Sequence, residues 1–98
     1  MHGGDVETSM MLALHPHKVD MAQAQNFHSS SQDRAQNYAI LGNGSSAKLA
    51  WAAQDLHAAG AAGNAAAATA EKGAAVLQAS GQALARLFAE IATLPPLG

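Results

Sequence analysis

The chain has 98 residues, a formal charge of -2 and no cysteine. These values suit one small domain, give no electrostatic footing for nucleic acid, and exclude disulfides and thiolate metal sites. A domain of this length buries only ~60–70% of its unfolded surface, and its aromatic core material is limited to Phe27, Tyr38, Trp51 and Phe88. No run of about eighteen apolar residues is present to span a bilayer, and the N-terminus lacks the charged start and apolar core of a signal peptide. The expectation is a soluble, cytoplasmic protein.

The chain opens on His2-Gly3-Gly4-Asp5-Val6-Glu7-Thr8-Ser9. Gly3-Gly4 reads as a bend where backbone can approach a ligand, since glycine lacks a Cβ and tolerates positive φ. A helix is predicted over Asp5 to Leu14. Asp5 and Glu7 fall in its first turn, where exposed N–H groups favour negative charge. Val6, Met10 and Leu14, widened by Met11, form an apolar stripe. The helix should stop at His15, which precedes Pro16. An imidazole at His2 and a carboxylate at Glu7, brought together by the bend, make a proton-handling pair; a capped helix beside a stray histidine fits the same spacing. His15 and His17 have no further ligand at a fixed offset, which favours a plain helix exit over a metal site.

Residues from Asp20 to Asp33, with Ser29-Ser30-Ser31 at the centre, read as a surface loop. His28 has no acid at an offset that would make a serine nucleophilic. Tyr38 to Leu41 is a short apolar run closed by the turn signal Gly42-Asn43-Gly44. Lys48 to Leu56 fits a helix by alanine content and a strand by alternation. Trp51 within it is a packing residue or a substrate wall. Ala58 to Ala70 is alanine- and glycine-rich; Gly60 and Gly63 suit a tight crossing, and Asn64 a helix cap. The last helix is predicted from Thr69 to Ala92, with Leu77, Leu84, Phe88 and Ile91 on one face and Leu87 at its edge. Gly73 and Gly81 each cost about 1 kcal/mol of helix propensity against alanine, which close backbone packing would offset. Glu71 and Lys72 read as a solvated or packing pair, and Thr93-Leu94-Pro95-Pro96 ends the helix. Phosphate-loop, H-E-x-x-H and G-x-S-x-G patterns are absent.

Two blocks carry a family resemblance. His2-Gly3-Gly4-Asp5-Val6-Glu7-Thr8-Ser9-Met10-Met11-Leu12 resembles the His-Gly/Ala-Gly-x-x-Glu-Thr-Ser-x-x-Leu segment of the creatininase (creatinine amidohydrolase) family. Gly60-Ala61-Ala62-Gly63-Asn64, followed by Ala68-Thr69-Ala70-Glu71-Lys72-Gly73, is similar to the Gly-x-x-Gly-Asp/Asn and Ala-Thr-Ala-Glu-Lys-Gly stretch near the end of those enzymes. The blocks keep the family's order, and about the right length of chain lies between them.

The resemblance implies an α/β fold with a parallel sheet between helices, this chain being mainly helical with one or two short strands. It favours an extended segment over Lys48 to Leu56. It divides the chain into an active-site segment and helix (1–16), loops and short strands (17–68) and a C-terminal helix (69–93). It also implies a metal-dependent amidohydrolase acting on a cyclic amide or related C–N bond of a small molecule, with a two-metal centre of zinc with zinc, manganese or iron, commonly assembled as a homo-oligomer. Carried over by position, His2 takes proton transfer or substrate contact. Glu7 orients His2 or approaches the metals, and Gly3 and Gly4 line the substrate site; Trp51, which lies in neither motif block, is assigned to substrate as the largest side chain of its region. The family's principal ligands, Glu-x-His, an aspartate and Asn-Gly-His-x-Glu/Asn, precede the matching part and are not in this sequence. The expectation is a C-terminal fragment without tight metal binding or activity by itself, completed by the missing N-terminal portion or by other copies. The competing expectations are a small helical interaction module, with the last helix as its contact surface, and an autonomous histidine-based metal protein.

Overall fold

The computed structural model describes residues 2–42 and 44–97. Helix α1 (Asp5–Leu14) has the predicted bounds. Gly4 is its N-cap, Asp5 and Glu7 occupy its first turn, and His15 closes it with an N–H donated to the Met11 carbonyl. Single 3-10 turns follow at Pro16–Lys18 and Met21–Gln23, the second capped by Asp20. Strand β1 (Asn26–Phe27) comes next.

Helix α2 (Ser30–Asn37) takes in the last four residues of the expected surface loop, Ser30 to Asp33. The reason is local: Ser29 is its N-cap, and its Oγ accepts from the Ser31 N–H at 3.2 Å. A serine run is therefore a helix start here, a role serine fills well. Helix α3 (Ala53–Leu56) is one turn, with the Asp55 carboxylate accepting the Ala52 N–H at 2.8 Å. The Lys48–Leu56 stretch thus resolves into irregular chain through Ala52 and then helix, with no strand. Tyr38 to Leu41 is likewise irregular and exposed. In the predicted turn, Gly42 and Gly44 both take positive φ; Asn43 lies outside the described residues.

Strand β2 (Gly63–Asn64) pairs antiparallel with β1, placing Phe27 opposite Gly63. Asn64 then caps a 3-10 turn at Ala65–Ala67 by backbone position, without a side-chain hydrogen bond. Helix α4 (Ala70–Thr93) ends one residue beyond the prediction. Its 24 residues span about 36 Å at 1.5 Å per residue. Thr69 caps it, Oγ1 accepting from the Lys72 N–H at 3.2 Å; Pro95 forbids continuation.

The described residues are mainly helical, and their only sheet is this two-residue antiparallel pair. The parallel sheet of the expected α/β fold is not among them. The core is correspondingly small: Leu56, Ala62, Ala65 and Ala68 are its buried apolar residues, while Ser9 and Ser29 are the largest side chains fully buried. The apolar stripe of α1 is not its buried face, since Val6 is 55% and Leu14 56% exposed. The packed face is the small-residue one. A Cβ at Gly73 would overlap the Ser9 carbonyl, so α4 crosses α1 with backbone against backbone. A Cβ at Gly81 would meet nothing within 4 Å, so the close packing expected there is absent.

Candidate functional site

The site grows from the bend before α1. Gly3 has φ +70°, a conformation glycine adopts without strain. A Cβ on Gly4 would come 3.2 Å from the Ala62 carbonyl and from the Gly63 Cα, so the next strand lies directly on it. The His2 carbonyl accepts the Ala62 N–H at 2.7 Å and ties the two segments together. Both glycines are therefore needed by the backbone geometry itself.

Glu7 is bound to this bend. Its Oε2 accepts the Gly3 N–H at 2.7 Å, and Thr8 Oγ1 donates to the Gly3 carbonyl at 3.3 Å. Glu7, at the third helical position, thus holds the amide of the residue ahead of the N-cap, one position before the partner that a capping box would use. The imidazole of His2 is exposed, and among the described residues no hydrogen bond joins it to Glu7. The structure holds the pair on one bend, with Glu7 engaged by backbone.

A second layer fixes α1 against α4. Lys72 Nζ donates to both Asp5 oxygens, at 2.9 and 3.0 Å, and to the Ala67 carbonyl. Lys72 therefore pairs with Asp5 across the crossing, not with its neighbour Glu71. The hydrogen bond from Lys72 holds the Asp5 carboxyl below its ordinary pKa, against the opposing effect of desolvation and with help from Ser9. Ser9 Oγ donates to Asp5 at 3.0 Å and accepts the Thr69 N–H at 3.1 Å. Residues from the two motif blocks, 60 positions or more apart, form one hydrogen-bonded unit.

Beside the bend lies an open, shallow cavity of about 380 Å³, lined by Gly3, Glu7 and Thr8 together with Lys18, Asp20 and Phe27. Pockets for small molecules begin at roughly this size. Lys18, Asp20 and Phe27 escaped sequence reasoning; they belong to no motif, and a 3-10 turn and a two-residue strand bring them here. Trp51 is not in this cavity. It lines a separate one with Arg34 and Lys48 and is 52% exposed, which removes the core-packing role considered for it.

Other candidates have plain explanations. His15 and His17 meet edge to face, ring centroids 5.9 Å apart. His28 Nε2 lies 3.0 Å from Asp33 Oδ1 on the surface, an acid partner the sequence did not reveal. Among the described residues no three His, Asp or Glu side chains gather as a cation site.

A family model described as creatininase, creatinine amidohydrolase, matches residues 1–88. No curated protein and no solved structure matches the chain. The family match takes in both motif blocks and the crossing that joins them, and the chain belongs to the creatininase family.

Proposed function

We propose that this chain carries the proton-handling and substrate-facing part of a creatininase-family, metal-dependent amidohydrolase acting on a cyclic amide or related C–N bond. It is inactive until a further stretch of polypeptide supplies the metal-binding groups. The observation that carries this reading is the family match over residues 1–88, which includes a bend held by Glu7 against Gly3 at the edge of a cavity sized for a small molecule. In this reading His2, exposed at the bend beside Gly3 but not itself among the residues that line the cavity, exchanges a proton with substrate or touches it. Gly3, on the cavity wall, lets backbone approach the amide, while Gly4, assigned to substrate with it, is covered by Ala62 and Gly63 and seats the bend. Glu7 keeps the bend closed and places its carboxylate on the cavity wall. Trp51 is outside this arrangement because it lines the other cavity. The proposed setting is the cytoplasm; among the described residues no helix is long and apolar enough to cross a membrane.

The test is hydrolysis of creatinine and related cyclic amides with zinc or manganese present. The chain alone should give none. Addition in trans of the metal-binding N-terminal portion of a creatininase relative should produce hydrolysis that His2→Ala removes. Turnover by the 98-residue chain by itself would sink the proposal.

A second reading rests on one observation: Leu84, Leu87, Phe88 and Ile91 of α4 are each about half exposed. A helical interaction module would use that face to bind a partner helix. It predicts cooperative melting and a defined oligomer of the chain alone. The fragment reading predicts hydrolysis gained only on complementation.

A further inference from the structure

The second cavity, about 170 Å³, is lined by Ser31 and Arg34 of α2 and by Gly42, Lys48, Leu49 and Trp51 of the segment that follows. Its charge is one-sided. Arg34 and Lys48 are two of only five lysines and arginines in a chain of net charge -2, and among the described residues no carboxylate lines the cavity. The acids on the neighbouring elements are engaged elsewhere: Asp33 with His28 at 3.0 Å, and Asp55 with the Ala52 amide at 2.8 Å. Arg34 uses one amine on Ser30 Oγ at 3.0 Å, and a guanidinium carries five N–H donors in all. Gly42 lies beside that guanidinium, where a Cβ would come 3.8 Å from Arg34 Nε and equally close to Leu49. Substitution there would fill the space next to the cation.

We propose that this cavity binds a small phosphate monoester. Two cations without a counter-charge are matched by a dianion and only half matched by a carboxylate, and a phosphate ester carries about -1.5 to -2 at neutral pH. Arginine's planar fork and lysine's point charge are the usual pair of donors to phosphate oxygens. The volume lies below the ~300 Å³ where drug-sized pockets begin, which limits the ligand to a phosphate and a few carbons. Trp51 and Leu49 give those carbons an apolar wall. The assignment stands apart from the hydrolase reading and does not depend on it.

Trp51 is the single tryptophan of the chain, so indole fluorescence reports this site directly. Titration of the purified chain with inorganic phosphate, and then glycerol phosphate, should give a saturable change, tighter for the ester and weakened by added sodium chloride. Acetate should bind about tenfold more weakly, since a monoanion leaves one cation unmatched. Lys48→Gln should weaken phosphate binding about tenfold, as should Arg34→Gln, while Lys18→Gln at the first cavity should leave it unchanged. Arg34 also holds Ser30, so far-UV circular dichroism of its variant accompanies the titration; Lys48, on irregular exposed chain, decides the matter if the Arg34 variant unfolds. No saturable response to phosphate, equal response to acetate, or equal loss in the Lys18 variant would overturn the assignment.

Discussion

Within α4 the first turns and the last turns meet different surroundings. At Gly73 the helix lies on the Ser9 backbone with no room for a methyl group, and Lys72 reaches across to Asp5. At Gly81 nothing lies within 4 Å of a Cβ, and beyond it Leu84, Leu87, Phe88, Ile91 and Leu94 stand about half exposed or more. Large apolar side chains are normally the ones buried; here the small ones are inside and the large ones outside. The contrast locates the organising contact in backbone proximity and hydrogen bonds at one crossing. It also explains the extended shape: the Cα radius of gyration is 17.6 Å, against about 13 Å for a compact chain of this length. The distal face of α4 is patterned for burial, and the described residues place nothing on it.

The sharpest way to break this comparison is to put the same methyl group at both glycines. Gly73→Ala forces the crossing apart and should destabilise the chain by about 3 kcal/mol or more. Chemical denaturation followed by circular dichroism measures it; a neutral result would mean that the crossing is not the organising contact. Ser9→Ala comes next, because it leaves the Thr69 amide without its partner in a part-buried site, an expected loss of about 1–3 kcal/mol. Gly81→Ala should have the opposite sign, stabilising by about 1 kcal/mol through helix propensity alone. If both glycine variants shift stability in the same direction, the two halves of α4 are not as different as they look.

The smallest effect tests the Asp5–Lys72 link. Asp5 has its pKa lowered by the lysine, so its contribution is present above its ordinary carboxylate value and lost as pH falls through the lowered one. Lys72→Met should lower the melting temperature slightly near neutral pH, and the gap from the parent chain should close on acidification. Both groups are substantially exposed, so the gap should also shrink with salt.

Local signals made parts of this molecule legible. Asp5–Leu14 was bounded by its acidic first turn and by Pro16, and α4 by Thr69 and Pro95, all features within a few residues of the helix ends. What escaped was long-range. The apolar stripe on α1 pointed to the wrong face because Gly73 and Ser9, far apart in the chain, approach each other backbone to backbone, a pairing no periodicity encodes. Ser29-Ser30-Ser31 looked like a loop because serine serves loops and N-caps equally. At the site, the family blocks were recognisable by residue type, and His2, Gly3, Gly4 and Glu7 do share one bend. The engagement of Glu7 by the Gly3 amide was not legible, since the same spacing equally allowed it to meet His2. The cavity walls from Lys18, Asp20 and Phe27 belong to no pattern at all.

The bond from the Thr69 amide to Ser9 Oγ has a practical consequence. While Ser9 holds that proton its exchange for solvent deuterium is slowed, so its rate follows the opening of the contact between the two motif blocks. Ordinary helical amides of α4 would register mere fraying, whereas this one registers whether the ends of the recognised sequence are still holding each other.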